Sequence, residues 1–195
     1  MELTFVKRCG KFDELTIQRE ECASETIPCP KQGIIPHDMV HYAVESVLTH
    51  QGFLSLVEQG GAAASATVGG ESEEAIERLV EVFQAEMWGE RVSAAEFLAV
   101  YEHACEARGH HANPVSPSDI DAIRARLDKL KHQWADVGTN EALTLRFRYS
   151  IKRCECSQLG ESRRPLAITK ELCGLRPRSF SYLRSLRSAS PIRRR

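Results

Sequence analysis

The chain has 195 residues, of which 42% are hydrophobic and 27% are charged, as in an ordinary soluble globular protein. Its apolar runs are shorter than the roughly 18 residues of a transmembrane helix, and the first residues lack the apolar core of a signal peptide. Seven scattered cysteines favour free thiols in a reducing cytoplasm over a disulfide framework. We therefore expect a cytoplasmic protein that is not embedded in a membrane.

The net charge of −1 conceals two regions of opposite charge. Residues 1–148 hold 14 Lys and Arg against 24 Asp and Glu, a balance of −10. Residues 149–195 hold 12 against 3, a balance of +9. Such an asymmetry indicates two regions of different physical character.

The N-terminal residues predict a meander of three short antiparallel strands. LTFV (3–6) and ELTIQRE (14–20) are rich in Thr and in β-branched or aromatic residues, and the segment between them contains a glycine. A third strand is predicted over ETIPC (25–29). Pro28 would place this strand at an edge of the sheet, because proline has no N–H to donate to a neighbouring strand.

Helices are predicted through the middle of the chain, where apolar residues recur three and four positions apart. Pro36 suits the first position of a helix, and Ser93 and Ser116 suit the positions just before one. Five helices are predicted, over about 36–51, 52–61, 71–88, 93–108 and 116–137.

The segment EALTLRFRYSI (141–151) alternates apolar and polar residues, which is typical of a strand with one buried face. The apolar residues that would share this face are Leu143, Leu145, Phe147, Tyr149 and Ile151. We expect the strand to return to the N-terminal meander. The predicted fold class is therefore α+β, a small antiparallel sheet packed against about four or five helices.

Residues 152–195 have no sustained period and are rich in Arg and Ser. The sequence thus predicts a domain over 1–151 and a basic, mostly disordered tail over 152–195. One interpretation of the tail is a flexible arm that contacts nucleic acid through its phosphates. The other is a read-through or frameshifted end outside the evolved domain. The abrupt loss of pattern after Ile151 slightly favours the second.

The sharpest functional signal is HDMVH (37–41), followed by Glu45. On a helix His37, His41 and Glu45 fall within about 80° of arc, because each residue advances about 100°. Two histidines at i and i+4 can share Zn²⁺ or another divalent metal, and a carboxylate can complete a three-ligand open site. Asp38 would then act as a general base or orient a ligand, as in a metal-dependent hydrolase.

The same geometry makes Glu45 an awkward third ligand. Ligands at i, i+4 and i+8 of one straight helix span about 12 Å along its axis, so they converge poorly. Asp38 is also one methylene shorter than the Glu of H-E-x-x-H metalloproteases. A third ligand from another helix would fit better, and the sequence does not choose among the candidates Glu73, Glu74, Glu77 and His103.

The alternative interpretation contains no metal. His37 and His41 would then lie at the edge of a core helix, with Asp38 in the first turn because the helix dipole favours acids there. The protein would be a non-catalytic interaction protein, for example a homodimer through a helical face, with the 152–195 tail as the contact to any nucleic acid.

The stretch IPHDMVHYAVESVL followed by GFLSLVEQG resembles a set of uncharacterised bacterial proteins. These carry P-H-D-[LM]-x-H-[YF]-x-V-E and then a Gly-Phe segment, and the resemblance covers Pro36 to Gly60. It implies a small bacterial cytosolic protein but no particular activity. It also groups five residues as one unit, namely Pro36, His37, Asp38, His41 and Glu45.

Overall fold

The computed structural model describes residues 1–20, 23–31, 33–48, 50, 52–61, 63 and 70–148. Three of the predictions lie outside these residues: the tail over 152–195, the domain boundary after 151, and the facing of Tyr149 and Ile151 in the last strand.

The strands form one antiparallel sheet, as predicted. They are β1 (Glu2–Val6), β2 (Phe12–Gln18), β3 (Glu25–Pro30) and β4 (Ala142–Arg146). The sheet order is β3-β2-β1-β4, so the last strand pairs with the first and the proline-containing β3 lies at an edge. The α+β class with a late returning strand is therefore confirmed.

The two faces of the sheet differ because side chains alternate along each strand. The inner face is apolar and closes against the helices, with Leu3, Phe5, Leu15, Ile17 and Leu145 all buried. On the outer face, one threonine of each strand joins a row across the whole sheet. The Oγ1 atoms of Thr4 and Thr144 are 3.2 Å apart, and those of Thr16 and Thr26 are 3.0 Å apart.

The described part of the chain contains five helices, as predicted. They are α1 (His37–Glu45), α2 (Phe53–Glu58), α3 (Glu71–Trp88), α4 (Ala94–Glu106) and α5 (Pro117–Asp136). Helix α1 contacts the sheet through β3. Capping boxes at Ser93 and Ser116 begin α4 and α5, because each serine hydroxyl accepts from the amide three residues on.

Helix α1 differs from its prediction at both ends. Pro36 is the residue before the helix, with ψ of 146°, and not its first helical residue. The helix ends at Glu45 and not near Gln51. Its last turn tightens, because the amides of Val47 and Leu48 both donate to the Val44 carbonyl. The Ser46 hydroxyl also donates to backbone carbonyls of the last turn, which competes with continuation of the helix.

Helix α1 lies at the centre of the domain and packs against α2, α3, α5 and β3. Its side chains Met39, Val40, Ala43 and Val44 are fully buried. Burial of each of the larger ones stabilises the fold by roughly 1.5–3 kcal/mol. This packing fixes α1 in place, so the polar residues that the same helix carries, His41 and Glu45, are held inside the protein.

Three cysteines fall in the described part of the chain, Cys9, Cys29 and Cys105, and all three are free thiols as expected. Within the same part of the chain, no helix combines the length and the hydropathy that a membrane crossing needs.

Candidate metal centre

Helices α1 and α3 bring three metal-ligand side chains together. His37 and His41 lie one turn apart on α1, and Glu77 faces them from α3. The two histidine Nε2 atoms are 3.1 Å apart. The Oε2 atom of Glu77 lies 3.1 Å from Nε2 of His41, and its Oε1 atom lies 3.4 Å from Nε2 of His37. Three side chains from two helices thus converge, and one donor atom of each lies within 4.8 Å of the other two.

These separations match the spacing of ligands around a single metal ion. Two ligands bonded to one tetrahedral zinc at about 2.0–2.1 Å lie about 3.3 Å apart. Two histidines and one carboxylate also leave the fourth position of the ion open. That composition is typical of catalytic zinc sites, whereas structural sites are closed by four protein ligands.

The cluster is buried on one side and open on the other. The His41 side chain is 2% exposed, whereas His37 is 25% and Glu77 is 34% exposed. The ring of Phe53 packs against His41 with centroids 5.5 Å apart. An ion held here would have the buried His41 ring on one side, and solvent would reach it along His37 and Glu77.

The structure places Glu45 behind His41 and outside the three-residue cluster. Its Oε1 atom is 3.2 Å from Nδ1 of His41, the ring nitrogen that points away from the cluster. The same carboxylate accepts hydrogen bonds from the backbone amides of Leu54 and Ser55, at 3.0 and 2.9 Å. Glu45 therefore joins His41 to the start of α2. The carboxylate that lies beside the two Nε2 atoms belongs to Glu77, whereas the sequence predicts Glu45 there.

Asp38 also lies outside the cluster of His37, His41 and Glu77. The thiol of Cys29, on β3, donates to Oδ2 of Asp38 at 2.9 Å. Asp38 thus contacts the sheet side of α1, while His37 and His41 face α3. Its role as a general base stays a prediction.

Of the four candidates for a third ligand from another helix, Glu77 alone joins His37 and His41 in a cluster within the described part of the chain. Glu74 lies one turn earlier on α3 and is exposed, and His103 is exposed on α4. Both are therefore suitable as matched control positions.

The charges of the cluster depend on one another. Burial of the His41 ring lowers its pKa, but its hydrogen bonds to Glu45 and Glu77 and their charges outweigh burial and raise the pKa to about 10. Burial raises the pKa of Glu77, but the hydrogen bonds from His37 and His41 and their charges hold it well below its usual range. Without a metal ion, His41 is therefore an imidazolium between two acids, and a bound ion would replace its Nε2 proton.

In a chelating buffer, the free energy of unfolding is expected to fall as the pH rises from about 6.5 to 8.5. His41, which faces His37, Glu45 and Glu77, has a pKa of about 10 when folded, against 6.5 for an ordinary histidine. Its contribution is complete below pH 6.5 and is lost as pH rises toward 10. The slope from this group is at most about 1.4 kcal/mol per pH unit.

Urea denaturation in EDTA across this pH range measures that slope. His41→Gln is the control, because it has no imidazole to titrate and should not show the slope. The range stops near pH 8.5 because the thiols of the unfolded chain ionise at higher pH. Equal slopes in the wild type and His41→Gln would contradict a charged His41.

Comparisons with known proteins found no matching family model, no matching curated protein and no matching solved structure. The resemblance of residues 36–60 to uncharacterised bacterial proteins stays a prediction.

Proposed function

We propose that the protein binds a divalent transition-metal ion through Nε2 of His37, Nε2 of His41 and the carboxylate of Glu77. The observation that supports this proposal is the convergence of the three groups, because one donor atom of each lies within 4.8 Å of the other two and the nearest contacts are 3.1 to 3.4 Å.

The ligand types narrow the choice of ion. Imidazole suits zinc, iron, nickel and copper, whereas magnesium and calcium prefer all-oxygen sites. Zinc is the first choice for two histidines and one glutamate with an open position. Two histidines and one carboxylate also bind ferrous iron in oxygenases, so iron is the second choice.

The proposed activity is metal-dependent hydrolysis. An ion with an open position lowers the pKa of a bound water and so supplies hydroxide near neutral pH. The residues of this chain would hold the ion and exclude water on the side of His41, because that ring is buried and Phe53 packs against it. Substrate would approach from the side where His37 and Glu77 are exposed to solvent.

Elemental analysis of the purified protein tests the proposal, both as isolated and after exposure to Zn²⁺ or Fe²⁺ followed by desalting. We expect about one ion per chain in the wild type and in the controls His103→Ala and Glu74→Gln. His37→Ala, His41→Ala and Glu77→Gln should retain much less. A metal-free wild type after both treatments would end the proposal. Chelator-sensitive hydrolysis of chromogenic esters and phosphodiesters tests the activity separately.

The alternative of a non-catalytic interaction protein has weaker support. Among the described residues four large apolar side chains are well exposed, namely Phe12 at 51%, Trp88 at 66%, Val92 at 42% and Val100 at 54%. Scattered exposed apolar residues are common on monomeric proteins, so they do not by themselves indicate a partner. The convergence of His37, His41 and Glu77 is the more specific observation, and it favours the metal site.

A further inference from the structure

We infer that Glu45 is a positioning residue of the metal centre, which holds the His41 ring so that its Nε2 atom faces the ion. The inference rests on the metal-binding function proposed above and names a residue that acts through a ligand without touching the ion.

The first step concerns the tautomer of His41. Nδ1 of this ring lies 3.2 Å from Oε1 of Glu45, and Nε2 lies in the metal-ligand cluster. A carboxylate accepts hydrogen bonds, so Nδ1 must carry a hydrogen atom. A neutral ring then has its free electron pair on Nε2, which is the atom that faces His37 and Glu77.

The second step concerns what holds Glu45. Its side chain is fully buried, and the amides of Leu54 and Ser55 donate to its two oxygens. Gly52 leaves room for the carboxylate, because a Cβ atom there would lie 2.6 Å from Cδ of Glu45. The first turn of α2 thus fixes Glu45, and Glu45 fixes His41.

The third step is the contrast with His37. Nδ1 of His37 is buried, and among the described residues it has no hydrogen-bond partner. The two histidines are therefore unequal, since only the ring of His41 is held from behind. A carboxylate that accepts a hydrogen bond from the other ring nitrogen also makes the imidazole a stronger metal ligand. Removal of such a carboxylate lowers metal affinity by about 10–100-fold.

A purely structural role would have a different signature. If Glu45 only joined α1 to the start of α2, its replacement would lower stability and leave the affinity and the geometry of the bound metal unchanged. A direct property of the bound ion therefore separates the two roles.

Glu45→Gln is the principal variant. Three N–H groups converge on the two oxygens of Glu45, from His41, Leu54 and Ser55. An amide offers one oxygen and a donor NH₂ group, so it cannot accept from all three. Ser93→Ala is the matched control, because it removes the hydroxyl that caps α4 and so lowers stability at a site away from Glu45.

The experiment measures zinc affinity by competition with a chelator, together with the visible absorption spectrum of the Co²⁺-loaded chain. We expect Glu45→Gln to bind zinc about 10–100-fold more weakly and to change the Co²⁺ spectrum. Ser93→Ala should lose stability while it keeps the affinity and the spectrum of the wild type. Wild-type affinity and spectrum in Glu45→Gln would overturn the inference, whereas failure of the wild type to bind either ion would overturn the proposed function instead.

Gly52→Ala is a second test variant, for use if Glu45→Gln does not fold. The added methyl group pushes the carboxylate of Glu45 without removing it. We expect weaker zinc binding here too, and an unchanged affinity in a folded Gly52→Ala protein would also overturn the inference.

Discussion

Replacement of Glu45 by alanine is expected to lower the free energy of unfolding by about 3–5 kcal/mol, because two buried amide N–H groups lose their acceptor and His41 keeps one of its two acidic partners. The carboxylate is fully buried and accepts from the His41 ring and from the amides of Leu54 and Ser55. Without it, the His41 imidazolium and two backbone N–H groups would remain inside the fold with no acceptor at this position.

Urea denaturation of the metal-free protein near pH 7 measures this effect. Glu74→Ala, at an exposed position of α3, is the matched control and should change stability by less than about 0.5 kcal/mol. A loss below about 1 kcal/mol for Glu45→Ala would mean that water or a shifted side chain replaces the carboxylate.

Zinc is expected to raise the melting temperature of the wild type. A ligand that binds only the folded state stabilises it by about 2.7 kcal/mol when its free concentration is 100 times the dissociation constant. For a domain of this size, that corresponds to a shift of roughly 5–10 °C. His37→Ala and His41→Ala should lose most of the shift, because each removes one of three ligands.

Thermal melts with Zn²⁺, with Mg²⁺ and with excess EDTA test this prediction. Mg²⁺ should give no comparable shift, because it prefers oxygen ligands, and EDTA should reverse the effect of zinc. His103→Ala is the control for nonspecific binding by a surface histidine. An equal zinc shift in the wild type and His41→Ala would place zinc elsewhere on the chain, for example at the exposed thiol of Cys9.

The denaturation and zinc experiments would separate the contribution of Glu45 to stability from the contribution of His37 and Glu77 to zinc binding. Glu45 contributes to stability without a metal, because its partners are all groups of the protein. His37 and Glu77 affect the zinc shift more directly, because their donor atoms face the proposed ion. His41 takes part in both, since one ring nitrogen contacts Glu45 and the other lies near Glu77.

The secondary structure was largely predictable because its signals are local. Alternation of Leu15 and Ile17 with polar neighbours specified one buried face of β2, and the structure buries both residues. The spacing of apolar residues in 71–88 specified α3 to the residue. Prediction of α1 was wrong near its end, because the turn at Ser46 depends on side-chain and backbone hydrogen bonds that periodicity does not record.

The sequence by itself determined that His37 and His41 lie on one side of a helix, because their four-residue spacing equals about one turn. It also limited a third ligand from another helix to a few residues. The apolar stripe of α3 did not single out Glu77, because Glu73 lies as close to Ile76 and Val80 on the helix surface.

Only the tertiary structure decided which of the two carboxylates, Glu45 or Glu77, lies beside the Nε2 atom of His41. Both lie near His41, but one approaches Nδ1 and the other approaches Nε2. Local spacing gives Glu45 and His37 the same four-residue offset from His41, so it does not determine which ring nitrogen each would meet. The packing of α1 against α3 brings Glu77 to the two Nε2 atoms, and the first turn of α2 holds Glu45 on the Nδ1 side of His41. These contacts join residues far apart in sequence, and their geometry depends on how the helices pack in the whole fold.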